Sequence, residues 1–338
     1  MQPLVSVIAT TKDGSIEHAE RCIDSIINQN LKDIEILVID DSFSDEENLI
    51  IEGICAKDPR IRYIHRGVAG GVNAARNTGI KCASGTYVTF VDFNDKLGDM
   101  LCWILSDYMR DNDAEVCVCG VLVETNTDVP RVGTYDTPDE NEIVDSDERT
   151  LELAMASVND GMPNCGFHIE GLNLVGAKMY LKSFLTDCPW VVYPDESTEG
   201  DGVIFFLRAL DAQPNIYMAD VPLYILTDES NGFTPNNDPE FVDHEASRLR
   251  AINAETHEND ILQKATAREA LCSLLNIEKS LRRTKGNDNK AFLKRVLDMP
   301  EYYDALILFN QLGFKNQDQY LLSLSKSKKI PQILKEVL

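Results

Sequence analysis

Short apolar runs of strand length alternate with amphipathic helical stretches over the first 125 residues, and this alternation leaves the chain few architectures. Val5 to Thr10, Ile34 to Ile39, Ile61 to His65, Thr86 to Val91 and Glu115 to Glu124 read as strands. Between them, Glu17 to Asn28 places Ala19, Cys22, Ile23, Ile26 and Ile27 at helical spacing. Ser44 or Asp45 caps a helix running towards Lys57, Val72 to Cys82 follows the pair Gly70-Gly71, and Met100 to Arg110 precedes the fifth strand. The pattern predicts an open, mostly parallel sheet with helices on both faces. Ligands bind such sheets beyond the carboxyl ends of the strands, where Asp40, Asp41 and Asp92 stand.

Residues 125 to 150 are polar, acidic and interrupted by Pro and Gly, and read as a long loop. Regular structure resumes near Leu151, with helix and strand signals over Leu172 to Tyr193 and Val203 to Leu226. From about Asp243 to Leu338 the pattern is helical. The expected organisation is therefore an α/β domain over 1–240 and a helical module over 241–338.

Acidic residues outnumber basic ones by 56 to 32, for a formal net charge of −24. That balance argues against nucleic acid as a partner and against simple docking to an anionic membrane. The end of the chain, LSKSKKIPQILKEVL, concentrates positive charge beside apolar residues; it suits a weak membrane or partner contact, or a plain packing helix. Nine cysteines occur without a CxxC pair, which points to reduced core thiols and not to zinc. The start, MQPLVSVIAT, reads as a first strand and not a secretory leader, and no apolar run reaches membrane-spanning length. The expected location is the cytoplasm, with room for contact at the inner face of the membrane.

The stretches VSVIAT, RCIDSIINQ, IEILVIDDSFSDE, KDPRIRYIH, GGVNAARNTGIKCASGTYVTFVD and FNDKL, in that order over residues 4 to 97, resemble the nucleotide-binding part of glycosyltransferase family two. A second zone, with GAKMYLKSFL, EGDGVIFFLRAL and ADVPLYILTDESNGFT, resembles the acceptor part of that family and falls within 98–240. The tail from about 243 carries no resemblance. This likeness implies a GT-A fold, a nucleotide-sugar donor that is most simply UDP-linked, and inverting transfer to a hydroxyl on a glycan or lipid-linked glycan. It leaves the oligomeric state open, a homodimer included.

The site residues implied follow the same order. The first strand ends in Thr10-Thr11-Lys12-Asp13, where the family usually carries an aromatic against the base; Thr10, Thr11 and Asp13 line the donor site, and Lys12 offers a cation instead. Asp41 accepts a hydrogen bond from the base, or Asp40 plays that part instead; the plainer use of such an acid is to cap the following turn, which Asp40 or Ser42 can do alone. Arg76 lies on the first turns of the helix after Gly70-Gly71, and its guanidinium suits stacking on a base or contact with phosphate as well as an ordinary salt bridge. Asp92-Phe93-Asn94-Asp95 occupies the place of the family's metal motif, so Asp92, Asn94 and Asp95 are candidate ligands for Mn²⁺ or Mg²⁺. An amide at Asn94 brings no formal charge to that set. Asp201 is the candidate general base, and equally a helix N-cap; the acid that precedes it in the family is Gly200 here, with Glu199 one step away. After PLYIL, where relatives place a basic residue, this chain has Thr227 and Asp228. Asn94, Gly200 and Lys12 also motivate a rival from another class, a binding or scaffold protein that keeps the fold without turnover. His168 is the one histidine near the acceptor zone, and Trp190 and Tyr193 flank an acidic loop as sugar-stacking or packing aromatics. A dinucleotide-binding oxidoreductase is excluded by ATTKDG, which lacks a GxGxxG turn after the first strand.

Overall fold

A computed structural model describes residues 2–10, 16–41, 45–67, 70–125, 131–132, 141–158, 174–195, 201–228, 239–256, 259–283, 295–296, 298–302 and 304–305. The chain divides into two compact units, Met1–Asn231 and Gly232–Leu338.

The first unit is built on one ten-stranded sheet. Strands β1 (Val5–Thr10), β2 (Ile34–Asp40), β3 (Ile61–His65) and β4 (Tyr87–Asp92) pair in parallel in the order β3-β2-β1-β4. All six residues of β1 are buried. Such a run needs cover on both faces, which the crossover helices α1 (Ile16–Ile27), α2 (Asp45–Cys55) and α3 (Gly71–Cys82) supply. The inward face of α1 is Ala19, Cys22, Ile23 and Ile26, all fully buried. Each of its two isoleucines contributes roughly 1.5–3 kcal/mol by leaving water. α3 lies so close to β1 that a Cβ on Gly79 would overlap the Ile8 side chain, and this contact fixes the height at which α3 delivers its residues to the strand tips.

Beyond β4 the sheet changes character. Antiparallel β9 (Lys178–Leu181) is inserted between β4 and β6 (Val116–Thr125), and β10 (Ile216–Asp228) runs parallel to β6. The two-residue β5 (Lys96–Leu97) pairs antiparallel with β10 and closes that edge. Helix α4 (Leu101–Asp111) precedes β6, α6 (Lys182–Asp187) follows β9, and α7 (Asp201–Asp211) precedes β10. The stretch 125–150, read above as a loop, is partly regular. β7 (Arg131–Val132) pairs with β6, β8 (Glu142–Val144) pairs with the start of β10, and α5 (Asp147–Val158) begins four residues before the expected Leu151. The polar composition hid these pieces because their order comes from strand pairing and from Arg149, which binds Glu142 and Glu152 on either side of it.

The described cysteines are free thiols, and Cys22, Cys55, Cys102, Cys117 and Cys119 are buried. In the second unit α8 (Pro239–Thr256) and α9 (Asp260–Arg283) pack through Leu249, Ile252, Leu262 and Ala265, with an Arg248–Glu269 ion pair. The basic end over 324–338 lies outside the described residues. Among the described residues no helix is long and apolar enough to cross a membrane.

Candidate active site at the strand tips

The chain moves from β1 to β2 on one side and later returns to lay β4 on the other, so a crevice opens between β1 and β4 at their carboxyl ends. The register sets Thr10 beside Asp92 there. Thr10 Oγ1 donates to Asp92 Oδ1 at 3.1 Å. Arg76, from the second turn of α3, donates through one terminal nitrogen to both Asp92 oxygens at 2.8 and 3.0 Å. Burial opposes the charge on Arg76, but the Asp92 carboxylate outweighs it and keeps the guanidinium's pKa above its ordinary value. The Arg76 guanidinium also lies over the ring of Tyr193, 5.1 Å from its centre.

Tyr193 joins this cluster to α7. Its ring stacks on Phe205 at 4.2 Å and 5°, one turn along the helix from Asp201. Asn77 of α3 clamps its backbone, donating to the carbonyl at 3.0 Å and accepting from the amide at 2.9 Å. Burial pushes the Tyr193 phenol far up, and the charges of Asp92 and Asp201 push the same way while Arg76 opposes them. Asp201, the first residue of α7, is only 6% exposed. Thr10, Arg76 and Asp92 therefore meet directly, and Asp201 is linked to them through Tyr193 and Phe205. Tyr193 is buried packing at its centre, while Trp190 is half exposed.

The remaining acids are held separately. Asp40 is fully buried and accepts from the Tyr63 hydroxyl at 2.7 Å. Asp41 accepts from Arg66 at 2.9 Å. Asp40 lies beside His65 in the β2–β3 register, so the next residue on each strand meets its counterpart. Asp95 turns inward: Tyr224 donates its hydroxyl at 2.6 Å and the Thr227 amide donates at 3.0 Å, one to each carboxylate oxygen. Burial pushes Asp95 up to about 6 despite these two donors. Asn94 is exposed, and its carbonyl accepts from Arg21 of α1 at 3.2 Å. Among the described residues no group of three His, Cys, Asp or Glu is placed to hold a metal ion. Thr11, Lys12, Asp13, His168, Glu199 and Gly200 lie outside the described residues.

Arg21, Arg66 and Tyr224 were not singled out by sequence. Arg66 follows β3 as Asp41 follows β2, a signal that becomes readable only once those strands are paired. Arg21 stands on the polar face of an amphipathic helix, where a charge carries no information by itself.

The family described as Glycosyl transferase family 2 matches residues 6–168. Curated relatives include the glycosyltransferase EpsJ of Bacillus subtilis, 38% identical over 126 residues, which are 37% of this chain and 36% of that protein. A second is the GalNAc(5)-diNAcBac-PP-undecaprenol beta-1,3-glucosyltransferase of Campylobacter jejuni, 38% identical over 96 residues, which are 28% of this chain and 31% of that protein. The chain thus spans about a third of the length of these relatives. Among solved structures, residues 1–349 of S. aureus TarS share the fold at a TM-score of 0.57 and 16% identity, covering 93% of both chains. Residues 6–168 are thus similar to family-two glycosyltransferases, and the chain has a GT-A type of fold.

Proposed function

We propose that this chain transfers a sugar from a nucleotide-sugar donor, UDP-linked, to a hydroxyl of a glycan or lipid-linked glycan, with inversion at the sugar carbon. The observation that carries the reading is the meeting of Thr10, Arg76 and Asp92 at the β1–β4 crevice of a GT-A type of fold, with Asp201 linked to it through Tyr193. Two likenesses support the substrate classes. TarS was solved with UDP-GlcNAc, and the Campylobacter relative is named for an undecaprenol-linked acceptor.

Asp41, beyond β2, binds the base, and Arg66 holds its carboxylate in place. Thr10, with Thr11 and Asp13 after it, lines the donor site. Arg76 orients Asp92 and lends a positive charge near the phosphates. Asp201 takes the proton of the attacking hydroxyl while the sugar carbon is attacked opposite the nucleotide. Asp92 and Asn94 would hold a divalent cation, Mn²⁺ or Mg²⁺. Asp95 anchors the turn that presents them. Such a cation supplies positive charge to the departing diphosphate.

Calorimetric titration of the full chain with UDP, with MnCl₂ and again with EDTA, tests the donor site. UDP binding that weakens at least about tenfold in EDTA is expected. Absence of UDP binding in MnCl₂ defeats the reading. Turnover is tested by release of UDP from a panel of UDP-sugars. A protein that binds UDP tightly but releases none from any donor is the non-catalytic alternative, which the full engagement of Asp92 by Arg76 favours.

A further inference from the structure

We infer that Arg21 of α1 is a diphosphate-binding residue, an assignment that rests on the nucleotide-sugar reading above. Among the described residues three arginines reach the carboxyl ends of the strands, and they differ in what already holds them. Arg76 is spent on the carboxylate of Asp92, and Arg66 on that of Asp41. Arg21 makes no ion pair among the described residues. Its terminal nitrogen Nη2 meets only neutral groups: the Asn94 carbonyl at 3.2 Å, the Thr227 hydroxyl at 3.0 Å and the His18 ring at 3.2 Å.

Those partners give the place. Asn94 lies in the turn between Asp92 and Asp95, and Thr227 lies near the end of β10, whose amide closes on Asp95. The Arg21 guanidinium thus bridges α1, the turn after β4 and the tip of β10 at the mouth of the crevice. It is exposed, and its charge is felt at Asp95, where it favours the carboxylate. Nη1 and Nε have no hydrogen-bond partner among the described residues. An exposed guanidinium with donors to spare, fixed on one side by neutral acceptors, presents a planar fork to a phosphate. The other described cation beside the tip of β10, Lys96 of β5, is paired with Glu124 at 2.6 Å. A nucleoside diphosphate gripped there meets Arg21 through its outer phosphate, because its base belongs at the other edge of the site, by Asp41.

The test is calorimetry on the full chain in MnCl₂ with three probes: UDP, UMP and uridine. In Arg21→Ala the affinity for UDP is expected to fall about tenfold, the scale of one charge-assisted hydrogen bond. UMP should weaken less than UDP, and uridine should not change. Arg21→Lys should recover part of the UDP affinity. If Arg21 is only a strut, Arg21→Ala lowers the melting temperature and weakens all three probes alike, or none of them; either result overturns the assignment while leaving the donor site intact. If the unaltered protein binds no UDP, the nucleotide-sugar reading falls and this inference falls with it.

Discussion

The two halves of the sheet handle charge in opposite ways. At the parallel half each described acid at a strand tip has a cation or hydroxyl set against it: Tyr63 on Asp40, Arg66 on Asp41, Arg76 and Thr10 on Asp92. At the antiparallel half, two charged groups are buried deeply and meet neutral donors and acceptors. Asp95 is held by a phenol and an amide. Lys178 of β9 lies fully in the core, donates to the Leu174 carbonyl at 2.6 Å, sits over Phe206, and is pushed down to about 7 by burial. Ion pairs tolerate displacement by a charged ligand, because each partner is already solvated by charge. Buried groups held by dipoles do not, since moving them strands a polar atom in the core. The parallel half therefore suits a charged donor, and the other half suits a rigid frame.

The largest effect that sharpens this contrast is at Asp201, where α7 meets the ion-paired cluster. Asp201→Asn is expected to cut UDP release from the cognate UDP-sugar by about a thousandfold while UDP affinity stays within about twofold. Full activity in that variant removes Asp201 from the role of base. Next comes Asp92→Ala, which strands the buried charge of Arg76. A loss of about 3 kcal/mol in urea unfolding is expected, and Asp92→Ala/Arg76→Leu should recover much of it. If the double variant is no better, the pair is not the electrostatic unit described here.

Gly79→Ala probes the scaffold that delivers Arg76. The added methyl meets Ile8, and a loss of about 1–3 kcal/mol is expected; Gly79→Ala/Ile8→Val should return part of it. The smallest effect concerns Asp95. Its pKa is raised in the folded chain, from an ordinary 3.8 to about 6, so the native state binds the extra proton between those values. The contribution of this group to stability is thus greatest below about pH 4 and declines as pH rises through 6, by on the order of 2 kcal/mol between about pH 4 and pH 7. Measured by urea unfolding, the stability of the unaltered protein relative to Asp95→Asn should fall from pH 4 to pH 7. A difference that is flat or rises with pH contradicts the buried state assigned to Asp95.

The sequence by itself determined the parallel half. Its strands are short β-branched apolar runs, its helices carry a periodic apolar face, and the crossover rule leaves acids at strand ends facing one crevice. Asp92 stood out for that reason, at a strand end, whereas Thr10, Arg76 and Asp201 were singled out by the resemblance to the family. Tertiary structure alone decided the rest. β9 enters antiparallel between β4 and β6, and two- or three-residue strands such as β5, β7 and β8 exist only because β6 and β10 offer them an edge. Partner choice was equally hidden. Whether Asp95 faces solvent or Tyr224, and whether Arg21 rests on its own helix or on the turn after β4, depends on side chains 129 and 73 positions apart in the chain. Local pattern reports which face of an element is apolar. It carries no information about which distant donor that face will meet.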